Sequence, residues 1–264
     1  MNALDFLEDA WQTNPFASDD ARANSSYAAF DGNGLVRLLE TVEPSPFERV
    51  AHDAFRNFVT DDAFSCLGAR AAIHRRSYRF GAYRRLDDEA VTAGLARDLY
   101  AFASERRGFE SSFTTFVAVF AGFESAGDPQ DAFERALWSQ LERLHALDRQ
   151  YHPWDTAVSS DPADADYSYS FASTGFFVVG LHPESPRSAR RFGWPALIFN
   201  AHEQFERLRE AGTFDGLQRS IRTREMRLDG SINANLANFG ERSEARQYSG
   251  RPVPDDWRCP FGRT

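Results

Sequence analysis

Residues 176–209, FFVVGLHPESPRSARRFGWPALIFNAHEQFERLR, decide the fold of this chain. Residues 176–181 form an apolar run of β-branched and aromatic residues, which is typical of a strand covered on both faces. Pro183 ends this strand because proline has no amide hydrogen to donate. Residues 196–199 form a second apolar run, and Asn200 is a suitable N-cap for an amphipathic helix. The stretch therefore predicts two buried strands, a polar loop between them and a helix.

Working outward, helices are predicted over residues 46–59, 87–104, 128–147 and 214–229, where apolar residues recur at helical spacing. Strands are predicted over residues 78–83 and 113–121, and over residues 167–171, whose alternation indicates a half-exposed strand paired with residues 176–181. Residues 1–60 are predicted to be a helical N-terminal extension, with segment 4–11 amphipathic and a helical turn at 35–41. We expect one α+β domain over residues 1–264, with a mostly antiparallel central sheet flanked by helices.

The C-terminal tail combines a loop-like composition with aromatic residues. Residues 243–261 contain Tyr248, Trp257, Cys259 and several arginines. Disordered tails are poor in aromatic residues. We therefore expect this irregular segment to pack back over the core, where it can close a pocket.

Composition excludes several classes of function. The chain has a formal net charge of −9, which argues against nucleic acid or an anionic membrane as the main partner. All 30 basic residues are arginine, so Schiff-base, pyridoxal-phosphate and P-loop lysine chemistry are excluded. No apolar run reaches the roughly 20 residues of a membrane span. The acidic N-terminus lacks the features of a secretion signal, and the two cysteines are far apart, so we expect a cytoplasmic protein with free thiols.

Several residue types that suit a heme group occur together. Cys66 lies at a predicted helix start, where the pKa of a thiol is lowered, although a buried, inert thiol is the preferred interpretation. Cys259 lies in the tail. His182 follows a buried strand, and His202 lies in the first turn of the next helix. The C-terminal half is rich in arginine and aromatic residues. Histidine or cysteine can hold heme iron, aromatic rings cover the porphyrin, and arginines bind its propionates.

Longer motifs resemble the YqcI/YcgG family. They are Leu181-His-Pro-x-Ser-x-Arg-x-Ala-Arg-Arg-Phe, Phe199-Asn-x-His-x-Gln-Phe-Glu-x-Leu-Arg, Ser243-Glu-Ala-Arg-Gln-Tyr-Ser-Gly-Arg, Trp257-Arg-Cys-Pro-Phe, Cys66-x-Gly-Ala and Tyr167-Ser-Tyr-Ser-Phe. The resemblance runs from about residue 60 to the end of the chain. At Asn233-Ala-Asn235 the sequence departs from it, since a proline is expected after the first asparagine.

The resemblance implies a heme-dependent oxygenase. Members of the family include N-hydroxylases that act on arginine and on a guanidine. The implied cofactor is heme b, with O2 as co-substrate and electrons from an external reductase. The implied substrate is a small guanidine or amine, while its identity and the oligomeric state, a homodimer included, stay open. The alternative is a heme-binding sensor or carrier without turnover.

The resemblance also implies roles for individual residues. His182 is the first choice for the axial iron ligand and His202 the second, because a helix can present it to the same pocket. Cys66 and Cys259 are the thiolate alternatives. Tyr248 donates to bound oxygen or simply packs. The candidates for binding the heme propionates are Arg190, Arg191, Arg246 and Arg251.

Overall fold

The strand pair predicted from residues 176–209 forms the centre of the sheet. The computed structural model describes residues 14–109, 111, 113–233, 235 and 240–262. Strand β6 (Thr174–Leu181) pairs with β7 (Ala196–Ala201) in antiparallel register, with Phe176 opposite Ala201 and Leu181 opposite Ala196. Both strands are mostly buried, as their apolar sequences predict.

The remaining strands complete a seven-stranded sheet. Its order is β2-β1-β3-β4-β7-β6-β5, and only β3 and β4 run parallel. The mostly antiparallel α+β class is confirmed. The other strands are β1 (Ala28–Phe30), β2 (Leu35–Arg37), β3 (Tyr78–Tyr83), β4 (Thr115–Phe120) and β5 (Tyr169–Phe171).

Helices cover both faces of the sheet. On one face, α4 and α5 contribute Leu99 and Leu137 to a core shared with Phe116 of β4. On the other face, α2 contributes Phe55 to a second core with Val117 of the same strand. The described helices are α1 (Asp19–Asn24), α2 (Pro46–Thr60), α3 (Leu67–Arg75), α4 (Glu89–Glu105), α5 (Pro129–Asp148), α6 (His202–Glu210), α7 (Phe214–Asp229) and α8 (Ala245–Tyr248).

The prediction of an all-helical N-terminal extension was wrong. β1 and β2 form a hairpin that extends the sheet, and residues predicted as a helical turn lie in β2. The cause is the turn between them, in which Asp31 Oδ1 accepts hydrogen bonds from the N–H groups of Asn33 and Gly34, and Gly32 has φ +116°. A side chain that mimics a backbone turn in this way favours a hairpin over a helix. The predicted segment 4–11 lies outside the described residues.

Two local predictions about the central region also need correction. Asn200 is part of β7, and Ala201 precedes the helix without a side-chain cap. β5 is buried on both faces, although its alternating sequence predicted half exposure. The tail packs on the face of the sheet that α4 and α5 cover, because Tyr248 and Phe261 belong to the same core as Phe171 of β5. The prediction that the tail packs over the core is confirmed.

Candidate functional site

His182 lies at the end of β6 and is 1% exposed. Its ring stacks on Phe133 of α5 with 4.5 Å between ring centroids. Its backbone N–H donates to the Arg190 carbonyl at 3.1 Å, which closes the loop between β6 and β7. Neither ring nitrogen has a hydrogen-bond partner among the described residues. Because buried polar groups are nearly always hydrogen-bonded, this imidazole has unused capacity to bind a ligand.

The electrostatic surroundings of His182 keep its ring neutral. Burial, and next the positive charge of Arg190, lower the imidazole pKa from 6.5 to about 4. At neutral pH the ring therefore carries a free lone pair on one nitrogen. That is the protonation state that a metal ligand must have.

Arg190 lies beside this histidine. Its Nη1 donates to the carbonyl oxygens of Tyr248 at 3.1 Å and Gly180 at 3.3 Å. Among the described residues no carboxylate forms an ion pair with it. Burial lowers its pKa from 12.5 to about 10, against the opposing effect of Glu225. The guanidinium group of Arg190 donates hydrogen bonds to carbonyl oxygens alone, so its positive charge can still bind an anionic group.

Two glycines let the tail approach this group closely. A Cβ at Gly180 would lie 2.7 Å from both the Phe133 ring and the Tyr248 carbonyl. Gly250 has φ +82°, and a Cβ there would lie 2.7 Å from Arg190 Cδ. A side chain at either position would push apart the tail and the loop that holds His182.

Cys66 is the second candidate ligand in this part of the molecule. It precedes α3, and its thiol lies within electrostatic reach of Arg190 and Glu225. Burial raises the thiol pKa above 9.0, while hydrogen bonds from the backbone N–H groups of Ala69 and Gly68 oppose that rise. Of the two interpretations of this thiol, the lowered pKa is wrong and the buried thiol agrees with the structure, because desolvation outweighs the effect of the helix N-terminus. Backbone N–H groups directed at sulfur nevertheless suit a thiolate once a metal replaces the proton.

His202 does not share a pocket with His182. The two residues lie beyond opposite ends of the β6–β7 pair, since Leu181 faces Ala196 while Phe176 faces Ala201. Five residues of extended chain separate these ends by about 17 Å. His202 Nε2 instead pairs with Glu206 at 3.1 Å, and burial lowers its pKa. The antiparallel pairing of consecutive strands overturns the expectation of one shared pocket.

The other arginine candidates and Cys259 have partners of their own. Arg191 is exposed and binds the carbonyls of Ser185 and Pro186. Arg251 forms ion pairs with Glu134 and Asp131. Arg246 donates to tail carbonyls, one of them that of Trp257. Together with the buried Cys259, Arg246 lines a cleft of about 600 Å³ between residues 161–165 and the tail, away from His182.

Tyr248 is fully buried, and its hydroxyl has three partners. The hydroxyl donates to the Phe176 carbonyl at 3.1 Å, lies 2.6 Å from a Glu244 carboxyl oxygen and accepts from the Tyr169 N–H at 3.0 Å. Burial raises the pKa of Glu244 from 4.5 to about 8, although hydrogen bonds from Ser168 and Tyr248 oppose the shift. This arrangement fixes α8 against β5 and β6.

The sequence of this chain matches one known protein family over most of its length. The profile of the YqcI/YcgG family matches residues 55–262. The chain belongs to the YqcI/YcgG family. No curated protein and no solved structure matches it.

The YqcI/YcgG region contains every element around Arg190, while the β1–β2 hairpin lies outside the matched residues. Sequence analysis missed Phe133, which supports the His182 ring, and Glu244, which lies inside a motif chosen for its arginines. It also missed Ser185, whose buried hydroxyl has no partner among the described residues. The signal for Ser185 was its place between His182 and Arg190 in the same motif.

Two further findings concern the described part of this family member. No group of three His, Cys, Asp or Glu side chains is arranged there to hold a metal ion. Within the same residues, no helix has both the length and the apolar character needed to cross a bilayer.

Proposed function

We propose that this protein is a heme-dependent oxygenase that hydroxylates a nitrogen of a small guanidine or amine. The observation that carries the proposal is the buried, neutral ring of His182 with two unpartnered nitrogens. A heme iron needs only one or two protein ligands, so a single histidine suits it. Membership of the YqcI/YcgG family, which the motifs relate to N-hydroxylases, supports the same activity.

The side chains around Arg190 fit the parts of a heme group. His182 is held by a strand before it and Pro183 after it, so its ring is fixed as a ligand that would hold the iron should be. Arg190 offers a positive charge to a propionate, with Arg191 and Arg251 on neighbouring segments. Cys66 is the alternative ligand in the same region. When bound, heme supplies the iron at which O2 is activated with electrons from an external reductase.

Tyr248 has a positioning role in this proposal. Its hydroxyl group forms hydrogen bonds with the Phe176 carbonyl and the Glu244 carboxyl group. Its backbone carbonyl accepts a hydrogen bond from Arg190. The residue therefore couples the tail to the loop that carries His182. His202, Arg246 and Cys259 lie elsewhere and are assigned no part in binding heme.

The proposed setting is the cytoplasm, with a soluble reductase as electron donor. An acidic protein with a net charge of −9 attracts a cationic guanidine or amine over a distance. The protein supplies substrate placement and excludes water, while the oxygen chemistry belongs to the cofactor.

The first expected result is a coloured protein. Expression with iron and a heme precursor should yield one heme b per chain, and the reduced protein with O2 and a reductase should hydroxylate a guanidine or amine nitrogen. The measurements are an absorption spectrum and product analysis by mass spectrometry. A colourless protein that also fails to bind added hemin contradicts the proposal. Stoichiometric heme without turnover of any guanidine or amine supports the sensor or carrier alternative instead.

A second expected result concerns Arg190. Arg190→Ala removes the unpaired charge beside His182, and losing one charge-assisted hydrogen bond costs about 1.5–3 kcal/mol. Heme affinity should therefore fall about 10- to 150-fold, measured by hemin titration of the apoprotein.

Arg246→Ala is the matched control, because Arg246 is also half-buried and also binds carbonyl oxygens, but in the tail cleft. Its heme affinity should stay near that of the wild type. Arg106 is unsuitable as a control because its 9%-exposed side chain pairs with Glu203. Equal affinity in the Arg190 and Arg246 variants contradicts the assignment.

A further inference from the structure

A surface helix brings a carboxylate with an unused oxygen to the surroundings of Arg190. The structure describes all of α7, which contains no fully buried residue, and Glu225 lies on its half-buried side. The backbone N–H of Asn233 donates to the Glu225 carboxyl group, whereas the Oε2 atom is buried without a hydrogen-bond partner among the described residues. Arg190 and Cys66 lie within electrostatic reach of this carboxyl group. Glu225 therefore adjoins the proposed heme site with one acceptor atom free.

Two contacts hold α7 in this position. The backbone N–H of Ser188, in the loop between β6 and β7, donates to Asp229 Oδ1 at 3.1 Å. Asp229 lies four residues after Glu225 and therefore shares its face of the helix. On the other side, Arg224 donates to the Phe64 carbonyl at 3.2 Å, in the segment that precedes α3. The Glu225 carboxylate is thus held between the loop that carries Arg190 and the segment that carries Cys66.

The loop opposite Glu225 also has unused polar atoms. The hydroxyl of Ser188 is buried without a partner among the described residues, and so are both ring nitrogens of His182. Buried polar atoms without partners lower stability, so several of them in one place indicate a site for a ligand, an ion or water. A carboxylate can only accept hydrogen bonds, and a hydroxyl can accept as well as donate. A ligand that satisfies Glu225 and Ser188 together must therefore supply hydrogen-bond donors.

Charge identifies the class of this ligand. Glu225 and Arg190 have opposite charges and lie within electrostatic reach of each other, yet no ion pair joins these two described residues. Arg190 Nη1 is directed instead at the carbonyls of Gly180 and Tyr248. A partly desolvated carboxylate without an ion-pair partner is stabilised by a cation. A guanidinium or ammonium group suits it, because such a group has a positive charge, several N–H donors and no acceptor atom.

We propose that Glu225 binds the cationic guanidine or amine group of the substrate, with the Ser188 hydroxyl as a second acceptor. The inference rests on the proposed function for the reaction that follows binding, whereas binding itself needs only these side chains. Glu225 thereby selects a cation over a neutral molecule of the same shape. The charge of Arg190 opposes the cation until an anionic group binds to that arginine. A propionate at Arg190 and a cation at Glu225 should therefore each raise the affinity of the protein for the other.

The apoprotein tests this assignment without heme. In a ligand-detected NMR titration, the wild type should bind methylguanidinium in preference to N-methylurea, its neutral isostere. Glu225→Gln keeps the size of the side chain and removes its charge, and it should weaken methylguanidinium binding about 10- to 150-fold, the range for one charge-assisted hydrogen bond. Arg190→Gln removes the opposing positive charge and should tighten methylguanidinium binding about 3-fold or more.

Asp229→Asn is the matched control for Glu225→Gln. It removes the same charge one turn further along the same face of α7 and keeps an oxygen for the Ser188 N–H. Because Asp229 already has partners in Ser188 and Arg187, its replacement should change methylguanidinium affinity by less than about 3-fold. Equal weakening in the two variants would mean that only net charge acts, and it overturns the inference. Absence of methylguanidinium binding in both the wild type and Arg190→Gln also overturns it.

Hemin-loaded protein tests the connection to the heme site. Methylguanidinium should bind more tightly to the loaded protein than to the apoprotein, and Glu225→Gln should keep a hemin affinity near that of the wild type. Equal methylguanidinium affinity with and without hemin would place the cation outside the heme site and overturn the role of Glu225 in substrate binding. A protein that binds no hemin contradicts the proposed function alone, since the titrations of the apoprotein do not depend on heme.

Discussion

Glu244→Gln should remove a contribution to stability that the wild type loses between pH 5 and pH 9. The wild-type carboxyl is buried, and its pKa is raised from 4.5 to about 8. A folded-state pKa above the unfolded value means that the native protein holds this proton more tightly. The stabilisation is complete below pH 4.5 and is lost as the pH rises through 8. The linkage amounts to about 5 kcal/mol over that range, a large share of a typical folding free energy.

Urea denaturation at pH 5, 7 and 9 measures this effect. The free energy of unfolding of the wild type minus that of Glu244→Gln should fall steeply across the series, because the amide remains neutral and still accepts hydrogen bonds. The other groups with shifted pKa values, His52 and His182 among them, titrate in both proteins and cancel in this difference. Asp98→Asn is a matched control, since burial raises the pKa of Asp98 to about 6 and its contribution is lost at lower pH. Above pH 7, the free energy of unfolding of Asp98→Asn should change with pH in parallel with that of the wild type. Parallel curves for the wild type and Glu244→Gln would show that this carboxyl titrates normally.

His182→Ala should reduce heme affinity by at least about 100-fold, because even the loss of a residue that only orients a metal ligand costs about 10- to 100-fold. N-oxygenation should be abolished with it. The measurement is hemin titration followed by the activity assay, with the unfolding midpoint checked in each variant.

His52→Ala is a matched control for this substitution. His52 is also 1% exposed, and burial also lowers its pKa to about 4, but its ring nitrogen binds the Tyr78 hydroxyl at 2.7 Å. Its replacement removes a buried imidazole of the same kind and should leave heme binding unchanged. His145→Ala removes a ring that packs on Trp154, and it should also leave heme binding unchanged. Equal loss of heme in His52→Ala would mean that the effect comes from destabilisation.

Sequence patterns predicted most of the framework around the site. Residues 214–229 form the predicted helix with the same bounds, and Asp128 caps α5 as its sequence indicates. These predictions succeeded because periodicity and capping are local properties. The β1–β2 hairpin was missed because its strands are only three residues long and its signal lies in the Asp31 turn.

The site itself was less predictable, since it depends on which segments meet. His182 and His202 are close in sequence, yet antiparallel pairing places them beyond opposite ends of the β6–β7 pair. The pKa of Cys66 combines a helix N-terminus, visible in the sequence, with burial, which is not. The charge of Arg190 and that of Arg251 look alike in the sequence, but only Arg251 meets carboxylates from α5.

The most direct test of the central claim is the absorption spectrum of the reduced carbon monoxide complex, recorded for the wild type, His182→Ala and Cys66→Ser. Histidine and thiolate ligands tune heme iron differently, so the position of the main band identifies the ligand. We predict a histidine-type band that persists in Cys66→Ser, disappears in His182→Ala and returns when imidazole is added to that variant. A thiolate-type band that persists in His182→Ala and disappears in Cys66→Ser would contradict the account.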